Sequence, residues 1–287
     1  MRNILPILTV LLVIVAVWYA AAIKMNAAWT YAQANRAGTE VTFSEVVRDT
    51  LNQERPVLPA PHQVAAELWA TTAQKKITSK RSLVFHGWVT LSATLLGFAI
   101  GTTAGILLAI GITHNRAMEL GVMPWAIASQ TIPILAIAPM IIVVLNSMGI
   151  SGLIPKSIIA AYLSFFPVAV GMVKGLRAPD AMQLDLMRTY SASDNQTFWK
   201  LRLPSSMPYL FASLKVGVAA SLVGTIVAEL PSGATRGLGA RLLSGSYYGQ
   251  TVQIWSALFA AALLAASLVI IVGVIEKITL RRMGMAA

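Results

Sequence analysis

The chain has 287 residues, of which 56% are hydrophobic and only 11% are charged, and its formal net charge is +11. Soluble domains carry about a quarter charged residues, so this composition excludes an ordinary water-soluble globular protein. The basic residues lie at the ends of apolar runs and in loops, which is typical of membrane proteins and not of nucleic-acid binding.

The sequence contains no pattern that indicates a metal-binding site or a disulfide bond. Cysteine is absent, which excludes disulfides and thiolate metal sites. The three histidines, His62, His86 and His114, lack the spacing of metal ligands. We therefore predict no metal site and no cofactor bound by this chain.

The first apolar run covers residues 4–23. A helix needs about 20 apolar residues to cross the hydrocarbon core, so this run is long enough. A cleaved signal peptide is the alternative, because Ala20-Ala21-Ala22 fits a small-residue cleavage site. The apolar stretch exceeds the usual signal-peptide core of about 7–15 residues, which favours an uncleaved first transmembrane helix over residues 1–24.

Residues 25–85 differ in composition and are predicted to form a long periplasmic loop. Residues 25–57 show no sustained apolar periodicity, and we expect only a short helix near 43–51. After Pro59 and Pro61, the spacing of Val64, Leu68 and Trp69 predicts one apolar helix face, suited to lie on the membrane surface.

Five further spans follow in a transmembrane core of residues 86–280. Residues 120–155, for example, contain no Asp, Glu, Lys or Arg. The predicted spans are about 87–112, 120–146, 154–173, 209–230 and 252–275. The fold class is therefore all-α, a polytopic membrane protein with about six transmembrane helices.

Basic residues in short loops predict the orientation of these spans. Residues 114–116, 174–208 and the C-terminal tail are basic, and they would share the cytoplasmic side with Arg2. Lys156, Arg236 and Arg241 would lie in short loops on the opposite side. Both termini are then cytoplasmic, as an even number of spans requires.

Small residues repeat in the second predicted span. Gly97, Gly101 and Gly105 recur every four residues. Small residues at this spacing let a second helix backbone approach closely, so the pattern predicts helix packing.

Three residues are candidates for a translocation path, namely Gln130, Pro133 and Glu229. Pro133 removes a backbone donor inside the third span, next to the polar Gln130. Broken helices with polar neighbours line many substrate paths, although a kink that only fits the bundle is equally compatible. Glu229 could line the path, pair with Arg236 or Arg241, or lie in a wet interfacial position.

The segment over residues 176–208 is too polar to enter lipid and is patterned like a helical hairpin. Asp180 can cap a helix that bears Met182, Leu186 and Tyr190 on one face. Residues 191–194 interrupt that pattern, and a second short helix is predicted from Asp194 to before Pro204. A helix–turn–helix with apolar and charged faces suits a groove in a partner protein.

This segment resembles the cytoplasmic signature of the inner-membrane permeases of bacterial ABC importers, in the nitrate/sulfonate/taurine-type branch. The branch form is approximately E-L-A-R-x-Y-G, with L-P about twelve positions further on. Residues 185–191 (D-L-M-R-T-Y-S) match the first part and Leu203-Pro204 the second. There are three departures: Asp185 replaces Glu, Met187 replaces Ala, and Ser191 replaces the turn glycine. Serine adopts the backbone conformation of that turn less easily than glycine does. The resemblance covers about residues 58–280, and residues 25–57 look like an insertion.

The resemblance implies the type I ABC importer permease fold in the bacterial inner membrane. It also implies three kinds of partner: a cytoplasmic ABC ATPase dimer, a second permease that is identical or different, and a periplasmic substrate-binding protein. The Lys156-Ser157 pair lacks the preceding glycines of a phosphate-binding loop. ATP is therefore expected to bind the partner, and the chain itself is not expected to be an enzyme.

The same resemblance assigns the hairpin to coupling with the ATPase. The coupling residues it implies are Asp185, Leu186, Arg188, Tyr190, Ser191, Phe198, Trp199, Leu203 and Pro204. It suggests a small anion, such as a sulfonate, or a pyrimidine-like heterocycle as the solute.

A stand-alone secondary transporter or channel is the alternative function. Such proteins carry charged or polar relays within their spans, and these are nearly absent here. A membrane-embedded enzyme would need a cluster of His, Asp, Glu or Ser groups, and the sequence offers none.

Overall fold

The computed structural model describes residues 4–231 and 235–285, and within these ranges the chain is helical without a β-strand. Arg2, which entered the orientation prediction, lies outside them. The chain divides into two compact units. The first comprises Met1–Gly87 with Ala240–Ala261, and the second comprises Trp88–Gly239 with Ala262–Ala287.

Helices of very different lengths make up the two units. In chain order they are α1 (Ile4–Ala37), α2 (Phe43–Thr50), α3 (Pro61–Trp69), α4 (Leu83–His114), α5 (Arg116–Ser129), α6 (Ile134–Ser147), α7 (Leu153–Leu176), α8 (Ala181–Thr189), α9 (Asp194–Thr197), α10 (Leu203–Glu229), α11 (Leu238–Tyr247) and α12 (Thr251–Arg282). Single π-helical turns follow α3 (Ala70–Gln74) and α9 (Phe198–Arg202).

The number of spans agrees with the sequence prediction. In the described ranges, α1, α4, α7, α12 and the continuous helix from α9 through α10 are each long and apolar enough to cross a membrane. The bent pair of α5 and α6 makes a sixth span if it is counted as one. About six spans in an all-α chain are thereby confirmed.

The third predicted span, 120–146, is not a single helix. The axes of α5 and α6 differ by 97° across the break at residues 130–133. Pro133 is the N-cap residue of α6, and a proline has no N–H to continue the ladder of α5. Each helix has 14 residues, about 21 Å, which is shorter than the hydrocarbon core.

In the first unit, α1 continues well past the predicted end of the first span. Residues 25–37 were expected to belong to a loop, and this prediction is wrong because they remain helical as far as Ala37. The side chain of Asn26 is fully buried; it accepts from the N–H groups of Val57 and Leu58 and donates to the carbonyl of Thr50. These long-range hydrogen bonds hold the polar half of α1 in place.

Two short helices of the first unit agree with the sequence. The helix expected near 43–51 is α2, and the apolar face expected after Pro61 lies on α3. At the start of α2, the Glu45 carboxylate reaches back and accepts from the Thr42 N–H at 2.8 Å, which satisfies one free N–H group at this helix end.

In the second unit, α7 packs against both α4 and α10. A Cβ on Gly101 would lie 2.1 Å from the hydroxyl oxygen of Ser164 and 2.7 Å from the carbonyl of Ala161. Gly97 and Gly105 face α7 in the same way. The glycine repeat is thus a close-packing surface, as its spacing predicts.

The hairpin of the second unit lies between α7 and α10, and its second helix does not stop before Pro204 as predicted. α9 runs through the π-turn directly into α10, and the N–H of Leu203 donates to the carbonyl of Phe198, five residues earlier. Pro204 is the second residue of α10 and therefore lies inside this continuous helix, where it cannot donate a helical hydrogen bond. The widened turn lets one continuous helix accommodate the proline.

Candidate functional site

The first helix of the hairpin has well-defined ends. At its start, the N–H of Gln183 donates to the Asp180 carboxylate at 2.8 Å, which confirms the predicted cap. At its end, Ser191 donates to the carbonyl of Arg188 at 2.8 Å and Ala192 to that of Met187 at 3.0 Å. This pair of bonds is the Schellman motif, and Ser191 occupies its left-handed position with φ +53°.

One face of α8 is apolar and has no partner in the described part of the chain. Met182, Leu186 and Tyr190 are exposed at i, i+4 and i+8, and Tyr190 is 78% exposed. Trp199, on the π-turn, is 61% exposed. Large exposed aromatic side chains of this kind are typical of protein–protein contacts.

The charged residues of α8 pair with each other. Arg188 donates to the Asp185 carboxylate at 3.0 Å, and both side chains are exposed. An exposed pair of this kind stabilises a helix by no more than about 0.5 kcal/mol. Both side chains can therefore leave this pair and form ion pairs with charged residues of a partner protein.

Phe198 behaves differently from Tyr190 and Trp199. It is only 8% exposed and packs into a core formed by the hairpin-side ends of α4 and α7. The buried members of that core are Ala109, Ile112, Met172, Val173 and Leu176. Leu203 packs against the same core, so these two members of the predicted coupling set join the hairpin to the spans and do not project from it.

At the opposite end of the second unit, Glu229 is fully buried in a polar network. Its carboxylate accepts from Lys156 Nζ at 3.2 Å, from the Thr90 hydroxyl at 2.9 Å and from the Gly239 N–H at 2.9 Å. The Thr90 hydroxyl also accepts from the N–H of Leu238 at 2.8 Å. The network joins α4, α7, α10 and the start of α11.

The ion pair of Glu229 corrects one sequence prediction. Lys156 was placed in a short loop, but it lies in the first turn of α7 and is 8% exposed. Arg236 and Arg241 were the partners in one of the three placements considered for Glu229, and Lys156 was missed because it looked like an ordinary loop charge. One signal in the sequence could have identified the pair. An unpaired carboxylate within the membrane is energetically costly, so Glu229 requires a cationic partner nearby.

The other two path candidates lie together at the break between α5 and α6. Gln130 is half-buried and donates to the Ser129 hydroxyl at 3.3 Å, and Pro133 is exposed. The Tyr162 hydroxyl of α7 donates to the carbonyl of Ser129, so α7 holds the break in position. Glu229 lies instead at the end of α10.

A cavity of about 600 Å³ opens beside the Glu229 network. It is lined by α4, α6, the turn into α7 and the segment before α11. Its lining residues are Val89, Ser92, Ile142, Asn146, Ser151, Gly152, Leu153, Pro155, Lys156, Thr235 and Arg236. Two cationic side chains and no carboxylate are among these described residues.

Residues 101–285 match the family described as the binding-protein-dependent transport system inner membrane component. This chain belongs to that family. As a member, it is the permease subunit of an ABC importer and a multi-pass protein of the inner membrane, and the resemblance found at the hairpin is confirmed. The permease is a transport protein and not an enzyme, and a stand-alone transporter or channel is not favoured.

Named relatives agree with this assignment. The permease is 29% identical over 225 residues to the riboflavin transport system permease protein of Chloroflexus aurantiacus, covering 78% of this chain and 80% of the relative. It is 32% identical over 184 residues to the formylaminopyrimidine transport permease protein of Halalkalibacterium halodurans, covering 64% and 68%. It is 24% identical over 200 residues to the putative aliphatic sulfonates transport permease protein of Bacillus subtilis, covering 70% and 68%. Permeases of this family work with an ATPase and a substrate-binding protein.

Proposed function

We propose that the hairpin over residues 176–208 is the element through which a separate cytoplasmic ATPase drives this permease. The supporting observation is that the unpartnered apolar face of α8 and the exposed Trp199 lie on a segment that Phe198 anchors in the span core. Because the sequence lacks the glycines of a phosphate-binding loop, ATP binding and hydrolysis belong to the partner. The chain itself needs no cofactor in this scheme.

The mechanism follows from the two faces of the hairpin. The face with Leu186 and Tyr190 binds in a groove of the ATPase. Asp185 and Arg188 break their mutual ion pair and pair instead with charged residues at the rim of that groove.

When two ATPases close on ATP, the hairpin moves with them. Phe198 and Leu203 transmit that movement to α7 and α10, and the spans change between inward-open and outward-open states. Ser191 sets the turn between the helices, and Pro204 lies where the hairpin continues into α10.

The remaining partners complete the path. A single permease encloses only half of a channel, so two copies, identical or different, assemble in the membrane. A periplasmic binding protein delivers the solute, a small anion such as a sulfonate or a pyrimidine-like heterocycle. Gln130 and Pro133, at the break between α5 and α6, and Glu229, through its pair with Lys156, shape that path.

The test compares aromatic side chains on different parts of the chain. Tyr190→Ala and Asp185→Ala should reduce ATPase co-purification and ATP-dependent solute uptake, about tenfold for the tyrosine, since an interface aromatic contributes about 1–2 kcal/mol. Tyr247→Ala is the matched control, because Tyr247 is an equally exposed tyrosine on α11. Coupling that is unchanged in both hairpin variants would remove the hairpin from the mechanism.

A further inference from the structure

A second cavity lies within the first unit and is lined by charged side chains of both signs. We call it the first-unit cavity, because all of its lining residues belong to that unit. Its volume is about 690 Å³, in the usual range for small-molecule sites. Its walls come from α3 with its π-turn, the segment before α4, α11 and the first turn of α12. The charged lining residues are Glu54, Glu67, Lys75, Arg81 and Arg241.

None of these five charged side chains forms an ion pair within the described part of the chain. Arg241 is half-buried, and its Nε is shielded from water without a hydrogen-bond partner among the described residues. Burial lowers the pKa of Arg241, the Glu67 carboxylate partly opposes this, and the Arg81 charge lowers the pKa further. A buried donor is costly when it has no acceptor, so an acceptor from outside the chain would complete this site.

The mixture of charges defines the kind of ligand that fits. A simple anion would meet the carboxylates of Glu54 and Glu67 beside the cations, and a simple cation would meet Lys75, Arg81 and Arg241. A ligand with one negative and one positive group can contact both sets. The first-unit cavity is therefore suited to a zwitterion.

The start of α12 places this cavity at the edge of the bilayer. Residues 254–275 contain no charged residue and are predominantly apolar. As a helix this stretch is about 33 Å long, close to the thickness of the hydrocarbon core. Gln253 lines the cavity and directly precedes the stretch. The cavity therefore lies at the level of the lipid head groups.

Aromatic side chains of the first unit mark the same level. The ring centroids of Trp18 on α1 and Trp255 on α12 are 5.0 Å apart, and Trp18 Nε1 donates to the carbonyl of Pro59 at 3.0 Å. Tyr248 lines the cavity and is 71% exposed, and Trp69, directly before the π-turn, is 66% exposed. Tryptophan and tyrosine are enriched where a protein crosses the membrane–water interface.

We propose that the first-unit cavity binds the phosphoethanolamine head group of a membrane phospholipid. The phosphate accepts hydrogen bonds from Arg241, whose guanidinium matches phosphate oxygens, and from Lys75 and Arg81 at the exposed rim. The ammonium group donates to the carboxylates of Glu54 and Glu67. The bound lipid joins the π-turn of α3 to α11 and to the start of α12, and so stabilises the first unit. Soluble phosphoethanolamine shares this chemistry and differs only in having no acyl chains.

Competition between lipids with identical acyl chains tests the head group. The purified full-length permease in detergent is given equal amounts of phosphatidylethanolamine, phosphatidylglycerol and phosphatidylcholine, and native mass spectrometry measures the bound lipid. Phosphatidylethanolamine should exceed each of the others by about tenfold. Phosphatidylglycerol lacks the ammonium group, and the trimethylated ammonium of phosphatidylcholine cannot donate a hydrogen bond. Equal binding of the three lipids would overturn the proposal.

Variants of single charges then separate the two halves of the head group. Arg241→Gln should weaken the binding of phosphatidylethanolamine and phosphatidylglycerol alike, by about tenfold, because both carry the phosphate. Lys75→Gln repeats this test at an exposed position, where loss of folding is not expected. Glu67→Gln should instead abolish the preference for phosphatidylethanolamine over phosphatidylglycerol.

Arg55→Gln and Glu40→Gln are the matched controls, because each removes an exposed charge outside the lining of the first-unit cavity. Both should leave lipid binding and lipid preference unchanged. A preference for phosphatidylethanolamine that survives Arg241→Gln, Lys75→Gln and Glu67→Gln would reject the cavity as its source.

Two further measurements separate the lipid from other ligands. Soluble phosphoethanolamine at the concentration of the lipid should not displace it, because the soluble compound lacks the acyl chains. Displacement would identify a soluble ligand and reject the lipid site. If the variants leave lipid binding unchanged but weaken capture of the purified substrate-binding protein, the charges serve a protein contact and the proposal is wrong. These measurements need neither ATP nor the hairpin, so they are independent of the coupling variants.

Discussion

At the scale of single residues, Ser191 forms the turn after the first hairpin helix in a backbone conformation that is unfavourable for a residue with a side chain. Its φ of +53° lies in the left-handed region, where a non-glycine residue costs about 1 kcal/mol or more. The side chain is exposed, so no packing offsets that cost. The family signature has a glycine at this position, and the structure gives the reason.

Replacement of Ser191 by glycine should therefore stabilise the permease. We expect Ser191→Gly to raise the free energy of unfolding by about 1 kcal/mol, because glycine adopts the same backbone without a Cβ clash. The midpoint of thermal unfolding in detergent measures it. Ala192→Gly, at the next position, should give no gain, and an equal gain there would attribute the effect to chain flexibility alone.

The pair of Lys156 and Glu229 is the second case at this scale. Lys156→Met should destabilise the permease by about 3–5 kcal/mol, because it leaves a fully buried carboxylate without its cation. The double variant Lys156→Met/Glu229→Gln removes the orphan charge and keeps an acceptor for the Gly239 N–H. It should recover much of the loss in thermal midpoint. A double variant as unstable as the single one would show that the ion pair is not the source of stability.

At the scale of helices, the contact between α4 and α7 depends on glycine. Gly101→Ala should cost about 1–3 kcal/mol, since its Cβ would lie 2.7 Å from a backbone carbonyl of α7 that cannot move away alone. Gly121→Ala is the control, because Gly121 lies in α5 with no neighbouring atom within 4 Å of a Cβ. That control should stabilise by up to about 1 kcal/mol through helix propensity. Equal responses in thermal midpoint would contradict the close approach of α4 and α7.

Helices were predictable where a local sequence pattern marks them. Long apolar runs located the centres of α4, α7, α10 and α12, and Asp180 marked the start of α8 because a cap is a local interaction. Helix ends were less predictable. The backbone continues to form helical hydrogen bonds beyond the apolar stretch, as in α1, whose polar half depends on partners 31 and 32 residues away.

Tertiary contacts account for the remaining differences. Phe198 and Trp199 are adjacent aromatic residues, and only packing against α4 and α7 separates a buried anchor from an exposed contact. Likewise, Pro204 was expected to end a helix, but a π-turn absorbs it. The partner of Glu229 lies 73 residues away in the chain, so no local pattern could have identified it.

At the scale of the whole molecule, the hairpin and the cavity beside Glu229 lie at opposite ends of the second unit. The hairpin and its Phe198 core occupy one end of α7 and α10, and the Glu229 network with its cavity occupies the other. Both helices run without interruption between these ends. Under the proposed coupling role of the hairpin, a displacement of the hairpin would act on the cavity end of the unit through α7 and α10.

The proposed coupling requires that the hairpin end of the second unit faces the cytoplasm. The basic residues of the hairpin predict this orientation. Asn195→Cys lies in the hairpin and Ser151→Cys in the turn before α7, and both positions are exposed. A membrane-impermeant maleimide should label residue 195 only in inside-out vesicles and residue 151 only in intact spheroplasts. The two variants control for each other, since each must react in one preparation. The reversed pattern would place the hairpin outside the cell, where no ATPase could reach it.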